Sequence, residues 1–437
     1  MTDTHRPRDE GRWPKEVHKM KIAFPCGHEE ISLVLPEGAD ILEPCAVPVL
    51  DDPEGSVEAA LRDPIEALPL AELARGRKSA CVVISDITRP VPNRVILPPL
   101  LRALEVAGID RRRITVLIAT GTHRPNVGQE LVSLVGEDIA ATCTVVNHDC
   151  HNRDGHRRIG ELEGVPIEIN AVYLDAELKI LTGLIEPHPY AGYSGGAKTI
   201  LPGLSSFETM KFMHSFKMIA HPKVTNCVLK GNPFYEATVK AAHLAGGDFV
   251  LNAMINKKKE PVGFVAGDLT GAHLAGCQQV EETSVIRLDK PADLVITSGG
   301  GAPMDATYYQ SGKGILAAKA ICRPGGTVVL VCGCALGIGS ETYAKLVGAC
   351  GGPEDFACEY SDPRNFVMDQ WAAQSYFQAL KRVGRVLVYS PALTDDQLKP
   401  FGVQKIHHLQ EEVNKLLLDH PRVAAVPQGP YVVGLTE

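Results

Sequence analysis

Two stretches, VVISDITRP (Val82–Pro90) and LIATGTHRP (Leu117–Pro125), each run from an apolar segment into a polar turn that ends in Arg-Pro. Short apolar segments bounded by turn residues are typical of buried strands. In open α/β sheets, ligands bind outside the carboxyl ends of the strands. We therefore expect Asp86, Arg89 and His123, which follow the two segments, to lie in a functional site.

Similar apolar segments recur along the chain and alternate with helical patterns. Further examples are CTVVNHD, LKILTGLIE, DFVLNAMIN, DLVITSGG, TVVLVCG and RVLVYS. Helical patterns cover Val95–Ala107 and Thr307–Cys322. Strands that alternate with helices predict the α/β fold class, with largely parallel sheets flanked by helices.

The length of the chain, 437 residues, exceeds one ordinary hydrophobic core, so we expect two domains. The composition changes from helical to turn-like within EETSVIRLDKPAD, and we place the boundary there. The predicted domains cover residues 20–280 and 288–425. Residues 1–19 are polar and charged, which predicts a disordered leader and no signal peptide.

Composition and charge exclude several classes of protein. The formal net charge of -8 and a pI near 6.0 argue against a nucleic-acid surface, which needs an excess of clustered basic residues. The longest apolar run, residues 327–339, is too short and too glycine-rich to cross a membrane. We expect a cytoplasmic protein without nucleic-acid or membrane partners. The 12 cysteines include no C-x-x-C pair and predict reduced, mostly buried thiols, with Cys332 and Cys334 on one strand face.

The stretch GLIEPHPYAGYSGGAKTILPG (Gly183–Gly203) contains a near match to a phosphate-binding loop. Lys198 and Thr199 have the required spacing from Gly192, but Ala197 stands where the second glycine belongs. A nucleotide-dependent phosphotransferase is therefore an alternative rather than the leading hypothesis. We expect glycines 192, 195 and 196 to let backbone amides approach an anionic ligand, with Lys198 close by. A desolvated lysine near other cations becomes a nucleophile.

Several histidines lie near this stretch or follow apolar segments. His123, His148 and His188 come after strand-like segments, and His214 lies in the helix-like FETMKFMHSF. Imidazole is a common ligand of Zn, Cu, Fe and Ni, but no H-E-x-x-H or H-x-H spacing indicates a metal site built by protein alone. We expect structural roles for the remaining histidines considered, together with His148: His151, His156, His243 and His273.

Five motifs in register carry a resemblance to a known family. SDITRPVP, ATGTHRP, EPHPYAGYSGGAKTILPG, ETMKFMH and YYQSGKG together resemble the nickel-pincer nucleotide-dependent lactate racemase family of 2-hydroxyacid racemases and epimerases. The match extends from about residue 80 to residue 375. The resemblance implies an N-terminal cofactor-binding domain, a C-terminal Rossmann-like domain and an active site in the interdomain cleft. It also implies a nickel(II) pyridinium-3,5-bisthiocarboxylic acid mononucleotide, which cofactor-synthesis proteins would supply.

The resemblance also implies residue roles. Lys198 looks like the covalent attachment point of the cofactor, and His214 looks like the protein ligand of nickel. His123 and His188 look like the paired acid and base. Asp86 and Arg89 match the family's D-x-x-R turn, Gln310 and Lys313 match its substrate-carboxylate pair, and Trp371 aligns with its cleft tryptophan. We therefore place Asp86 on the cofactor side with Gly192, Gly195 and Gly196 of the glycine-rich turn, and Arg89, Gln310, Lys313 and Trp371 on the substrate side, together with Tyr309.

The resemblance further implies a mechanism. The cofactor would take the C2 hydrogen of a 2-hydroxy acid as hydride while a histidine takes the hydroxyl proton. Return of hydride to the other face of the 2-keto acid gives the opposite hand. Mirror-image substrates direct their hydroxyls differently, so two histidines are needed, and Asp86 would orient Arg89 or His123. A non-catalytic carrier of the cofactor is a third hypothesis, and the tyrosines at 190, 193, 308 and 309 either bind a substrate tail or pack.

Overall fold

The computed structural model describes residues 18–436, which form two compact units. Residues 46–283 form one unit, here called the central unit, and residues 18–45 and 284–436 together form the split unit. The division at residues 283 and 284 falls in the segment predicted as the boundary. Residues 20–45 differ from the prediction, because they pack in the split unit and not in the domain predicted to begin at residue 20.

The N-terminal segment joins the split unit through strand pairing and apolar burial. Phe24, Leu33 and Leu35 are fully or almost fully buried in one cluster with Leu294 and Val329. Residues 1–17 of the predicted leader lie outside the described residues, whereas Lys19 already begins a strand. The strands of this segment are β1 (Lys19–Cys26), β2 (Glu29–Pro36) and β3 (Asp40–Ile41).

The central unit contains a six-stranded sheet in the order β13-β12-β9-β4-β5-β6. Adjacent strands are parallel except for the antiparallel edge pair of β12 and β13. Two antiparallel hairpins, β7-β8 and β10-β11, lie outside that sheet. The strands are β4 (Ala80–Ser85), β5 (Ile114–Ala119), β6 (Thr144–Asn147), β7 (His156–Leu162), β8 (Val165–Asn170), β9 (Leu178–Leu184), β10 (Pro187–His188), β11 (Gly192–Tyr193), β12 (Phe249–Ile255) and β13 (Pro261–Gly267).

Local sequence explains where helices of the central unit begin and end. In the helix that follows Asn232, the asparagine accepts the first amide hydrogens, Pro233 occupies the first turn, and Gly246 ends the helix with φ +75°. The helices are α1 (Pro53–Arg62), α2 (Leu70–Leu73), α3 (Asn93–Val106), α4 (Gln129–Val135), α5 (Glu137–Thr142), α6 (Ala171–Asp175), α7 (Phe207–Met213), α8 (Phe216–Ile219), α9 (Pro233–Ala245) and α10 (Gly271–Ser284).

The split unit contains a second six-stranded sheet, all parallel, in the order β18-β17-β16-β15-β19-β3. A separate parallel pair joins β14 to β20. The strands are β14 (Val285–Leu288), β15 (Ala292–Ser298), β16 (Cys322–Val331), β17 (Arg385–Tyr389), β18 (Gln404–Ile406), β19 (Val423–Val426) and β20 (Val433–Thr436). The helices are α11 (Tyr308–Ile321), α12 (Glu341–Ala349), α13 (Pro353–Tyr360), α14 (Gln370–Arg382), α15 (Asp395–Leu398) and α16 (Leu409–Asp419).

The predicted α/β class with parallel sheets is confirmed in both units. Every apolar segment predicted as a strand contains one, because strands buried on both faces are continuously hydrophobic. The cysteine pair differs from its prediction: Cys332 and Cys334 lie beyond the end of β16, and Cys334 adopts φ +54° in a turn. Between residues 18 and 436, no helix is long and apolar enough to cross a membrane.

Candidate active site

The candidate site lies at the carboxyl edge of the central unit's sheet. β9, β4 and β5 are neighbouring parallel strands, so their carboxyl ends meet at one edge. Asp86 follows β4, His123 follows β5, and His188 follows β9. The three residues expected beyond the strand ends do lie together, because Asp86 bonds to His123 and the Arg89 amide donates to the Asp86 carbonyl at 3.1 Å.

Asp86 and His123 form a hydrogen-bonded pair. The Nδ1–H of His123 donates to Asp86 Oδ2 at 2.8 Å. The Asp86 side chain is 5% exposed, whereas that of His123 is 48% exposed. Because Nδ1 carries the proton, Nε2 of the neutral ring keeps its lone pair and is able to accept a proton.

Two residues that the sequence analysis did not identify support this pair. The Thr88 hydroxyl donates to Asp86 Oδ1 at 2.8 Å, which engages the second carboxylate oxygen. Asn126, almost fully buried, accepts the amide hydrogen of Ile87 at 3.3 Å. It therefore links the turn after β4 to the turn after β5. The sequence feature that could have identified Asn126 is its position directly after Arg124-Pro125, at the end of the second motif.

His188 is held by the short hairpin of β10 and β11. Its Nδ1 accepts the backbone amide hydrogens of Tyr190 and Ala191, each at 3.2 Å. The ring lies edge-on to that of Tyr190, with 5.7 Å between centroids. A ring nitrogen that accepts hydrogen bonds is unprotonated, so the neutral His188 ring carries its proton on Nε2.

The turn that carries Lys198 does not have the architecture of a phosphate-binding loop. Gly196–Thr199 forms a single 3-10 turn, and the next helix, α7, begins only at Phe207. A phosphate-binding loop leads directly into a helix whose N-terminus holds the phosphates. The spacing that suggested such a loop therefore serves a different local structure.

The glycines of this turn allow close contact with protein groups. The Gly196 amide donates to Asn252 Oδ1 at 3.0 Å, so that amide is already used within the protein, contrary to the expectation that it meets a ligand. A Cβ at Gly196 would lie 2.7 Å from the His273 ring. The His273 Nε2–H also donates to the Ser194 carbonyl at 2.9 Å. Asn252 and His273, both buried, thus fix the shape of the turn.

Lys198 is only partly exposed, and its environment favours the neutral amine. Burial is the main cause that lowers its pKa, from 10.5 to about 7, and the positive charge of Arg89 lowers it further. The carboxylates of Glu186 and Asp86 oppose this shift. Lys198 therefore lies within electrostatic range of the residues that follow β4 and β9, and it can act as a nucleophile near neutral pH.

His214 lies one residue beyond α7 rather than within a helix, as its sequence context had suggested. Its Nδ1–H donates to the Met210 carbonyl at 3.1 Å, which leaves the lone pair on Nε2. Burial lowers its pKa to about 4, and the charge of Lys198 contributes to that shift. A neutral imidazole with its other nitrogen held by a carbonyl is the usual form of a metal-ligating histidine.

His148 is buried and bonded at both ring nitrogens. Its Nε2–H donates to the Ser205 carbonyl at 3.1 Å, and its Nδ1 accepts from Asn170 Nδ2 at 3.1 Å. These bonds agree with the expected structural role. Within the described part of the chain, no group of three or more His, Cys, Asp or Glu side chains is arranged to hold a metal ion.

The remaining predicted residues belong to the split unit. Gln310 and Lys313 lie in the first two turns of α11, as the helical pattern predicted. The Tyr309 hydroxyl donates to Asp369 Oδ1 at 3.2 Å, and Trp371 lies in the first turn of α14. Tyr308 is fully buried, and its hydroxyl bonds to that of Tyr376 at 3.1 Å, so this tyrosine packs.

The fold is that of an α/β enzyme, with hydrogen-bonded titratable side chains at one edge of a parallel sheet. Two family models match the chain, the lactate racemase N-terminal domain over residues 26–226 and the lactate racemase C-terminal domain over residues 288–433. A lactate racemase of Thermoanaerobacterium thermosaccharolyticum is 37% identical over 421 residues, covering 95% of this chain and 97% of that protein. The chain belongs to the lactate racemase family and is an isomerase of the racemase type.

Further comparisons agree with this assignment. A lactate racemase of Lactiplantibacillus plantarum is 35% identical over 384 residues, covering 87% of this chain and 90% of that protein. The structure of the lactate racemase apoprotein from Thermoanaerobacterium thermosaccharolyticum matches with a TM-score of 0.87 at 32% identity, over 95% of this chain and all of that one. A Thermotoga maritima protein with a TM-score of 0.61 at 18% identity shares the fold.

Proposed function

We propose that this protein racemises or epimerises a 2-hydroxy acid by hydride transfer to and from a nickel-pincer nucleotide bound covalently to Lys198. The observation that carries the proposal is the grouping of the Asp86–His123 pair, His188 and Lys198 beyond three neighbouring strands. Lactate is the first substrate to test, because the matched curated relatives are named lactate racemases.

The residues of the central unit fit this cofactor. Lys198 provides an amine whose pKa is lowered to about 7, so a large fraction is neutral and able to bond covalently at neutral pH. His214 provides an Nε2 lone pair, and imidazole suits nickel. When bound, the cofactor would supply an electron-poor ring that accepts hydride from C2 of the substrate and returns it.

The two histidines would move the hydroxyl proton. The His123 Nε2 takes the proton of a hydroxyl directed toward it, and the buried Asp86 carboxylate stabilises the resulting imidazolium. His188 serves the hydroxyl of the opposite hand. Arg89 would bind the substrate carboxylate from the central unit. Gln310, Lys313, Tyr309 and Trp371 of the split unit are proposed as further substrate-binding residues.

A nucleotide-dependent phosphotransferase is the weaker hypothesis. The 3-10 turn at Gly196–Thr199 and the late start of α7 lack the helix N-terminus that phosphate binding requires. A non-catalytic carrier would leave the Asp86–His123 pair without a role. Neither alternative explains why the Asp86 carboxylate orients a half-exposed imidazole and also acts electrostatically on the Lys198 amine.

The proposal is tested with protein produced together with cofactor-synthesis proteins. Intact mass and nickel content should report a covalent adduct that is lost in Lys198→Ala and kept in Lys217→Ala, which replaces an exposed lysine paired with Glu163. Chiral chromatography of pure D- or L-lactate, and of other 2-hydroxy acids, should then show conversion to both hands. An adduct that persists in Lys198→Ala, or a loaded protein that converts none of these acids, contradicts the proposal.

A further inference from the structure

Asn232 has a fully buried side chain that makes four hydrogen bonds. Its Oδ1 accepts from the amides of Phe234 and Tyr235 at 3.0 and 3.3 Å, which caps α9. Its Nδ2 donates to the carbonyls of Tyr190 and Val228 at 2.8 and 2.9 Å. One side chain thus joins the start of a helix to the turn that follows His188.

The segment before Asn232 is packed tightly against the same hairpin. The Cys227 amide donates to the Gly192 carbonyl at 3.0 Å. A Cβ at Gly192 would lie 2.5 Å from the Val228 carbonyl oxygen, and the glycine has φ +76°, so no other residue fits there without strain. Residues 227–232 therefore contact the turn between His188 and Gly192 at two carbonyls. The Cys227 amide bonds to that of Gly192, and the buried Asn232 side chain bonds to that of Tyr190.

This turn determines which nitrogen of His188 carries the proton. The amides of Tyr190 and Ala191 both donate to Nδ1, and an N–H donor bonds only to a nitrogen with a lone pair. The neutral ring is therefore held with its proton on Nε2. His123 is held in the opposite tautomer, because its Nδ1–H donates to the Asp86 carboxylate.

We propose that Asn232 is a positioning residue that, through the Tyr190 peptide, holds His188 as a neutral ring with a protonated Nε2. The catalytic meaning of this inference depends on the proposed function. The two histidines are then unequal at rest: His123 Nε2 has a lone pair that can accept a proton, whereas His188 Nε2 already carries one.

The different tautomers of His123 and His188 should give the two enantiomers different rates in the first half-reaction. A hydroxyl directed toward His123 can give its proton at once to a nitrogen with a lone pair. A hydroxyl directed toward His188 meets an N–H. His188 can take the hydroxyl proton only after its own proton moves to Nδ1, and that move breaks the two hydrogen bonds that Nδ1 accepts from the Tyr190 and Ala191 amides. The first half-reaction should therefore be faster for the enantiomer whose hydroxyl faces His123.

The direct test reads the tautomer of His188 in the full-length chain. Nitrogen chemical shifts of ¹⁵N-histidine-labelled protein at about pH 8, where an unperturbed histidine is neutral, distinguish the two ring nitrogens. The His188 signals are assigned with His188→Gln. The wild type should show an unprotonated Nδ1 and a protonated Nε2. A protonated Nδ1, or rapid averaging of the two tautomers, overturns the proposal.

Asn232→Ser separates the link to Tyr190 from the cap of α9. Serine still caps a helix, but its shorter side chain cannot also donate to both carbonyls. We expect the His188 signals to shift toward averaged tautomers, and the ratio of the two first half-reaction rates to fall at least threefold. Asn232→Asp, which keeps the shape and the cap but removes the Nδ2 donor, should act in the same direction.

Asp52→Ser is the matched control, because Asp52 caps α1 through its side chain and has no bond to the hairpin. It should lower the melting temperature slightly and leave His188 unchanged. If Asn232→Ser and Asn232→Asp change only the melting temperature, as the control does, Asn232 has no positioning role. The tautomer measurement needs no racemase activity, so failure of this inference is distinguishable from failure of the proposed function.

Discussion

The Nδ1 of His123 lies 2.8 Å from Oδ2 of Asp86, and the carboxylate is almost fully buried while the imidazole is half exposed. The carboxylate therefore fixes the tautomer and the orientation of a ring that solvent can reach. It also compensates the positive charge that appears when the ring takes a proton. The pair joins the two motifs that predicted the strand ends.

Asp86→Ala should lower kcat by about a hundred- to ten-thousand-fold with little change in KM, because the loss falls on proton transfer. Steady-state racemisation measured from each enantiomer checks this. Thr88→Val, which removes only the hydrogen bond to Asp86 Oδ1, should cost about tenfold or less. If kcat falls no further in Asp86→Ala than in Thr88→Val, Asp86 does not act through its bond to His123.

Lys198→Met should stabilise the unloaded protein below pH 7. Burial lowers the folded-state pKa of Lys198 from 10.5 to about 7, so between these values the unfolded chain binds more protons and wild-type stability rises with pH. The advantage of the methionine variant is therefore largest below pH 7 and is lost as the pH rises toward 10.5. After allowance for the exposed part of the side chain, we expect about 1–3 kcal/mol.

Urea unfolding of both proteins at several pH values between 6 and 10 measures this difference. Lys217→Met is the control, since Lys217 is exposed and paired with Glu163. It should give no stabilisation at any of these pH values. A Lys198→Met advantage that is constant with pH would mean that the amine has an ordinary pKa.

Eight strands of the two six-stranded sheets (β4, β5, β6, β9, β12, β15, β16 and β17) were predicted, because their continuous apolar segments are the direct consequence of burial on both faces, whereas β3, β13, β18 and β19 were not. The packing of residues 20–45 with the C-terminal part of the chain was not predictable. The strand that makes this connection, β3, has two residues and pairs with β19, where Asp40 lies opposite Ala424. Local pattern carries no information about so distant a partner. The β1-β2 hairpin mixes exposed and buried positions and lacks a continuous apolar segment.

Within the candidate site, the residues proposed to contact substrate or cofactor were identified by motif, and the residues that support them were not. Asn252 interrupts the apolar segment FVLNAMI, and a polar residue in a buried strand was a usable signal. The roles of Asn232 and His273 depend on contacts with residues 190 and 194, which only the folded chain brings together.

Gly196→Ala should destabilise the protein and reduce cofactor loading. The residue has φ +50°, and a Cβ would lie 2.7 Å from the buried ring of His273, so backbone strain adds to steric overlap. We expect a loss of about 2–4 kcal/mol in the free energy of unfolding. Chemical denaturation and intact mass measure the two effects.

Gly164→Ala is the matched control, because this glycine also has positive φ, +82°, but a Cβ there meets no atom within 4 Å. It should cost only about 1–2 kcal/mol and leave loading unchanged. Similar losses of stability in the two variants would show that His273 moves aside and does not shape the turn.

His214→Ala should lose nickel while keeping the covalent adduct on Lys198. The Nε2 lone pair of His214 is the proposed protein ligand, whereas the bond to Lys198 does not involve the imidazole. Metal analysis and intact mass of the same sample separate these two properties. His221→Ala, at an exposed histidine of the same segment, should retain both. Full nickel and full activity in His214→Ala would exclude the role.

His123 and His188 are expected to accept the hydroxyl proton of opposite enantiomers. If each serves the hydroxyl of one enantiomer, His123→Ala and His188→Ala must both stop net racemisation, because each turnover uses one ring to accept a proton and the other to return one. Each variant should still oxidise one hand of the substrate to the 2-keto acid in a single turnover, and the two variants should prefer opposite hands.

Rapid mixing of each variant with each pure enantiomer, followed by acid quench and derivatisation of the 2-keto acid, measures the four half-reactions. Loss of a general base typically costs about a hundred- to ten-thousand-fold, so the missing half-reactions should be clearly separated from the retained ones. Because His188 is held with a protonated Nε2, the half-reaction retained by His123→Ala should be slower than the one retained by His188→Ala. Equal losses for both hands in both variants would leave one histidine as the base and make the other a binding residue.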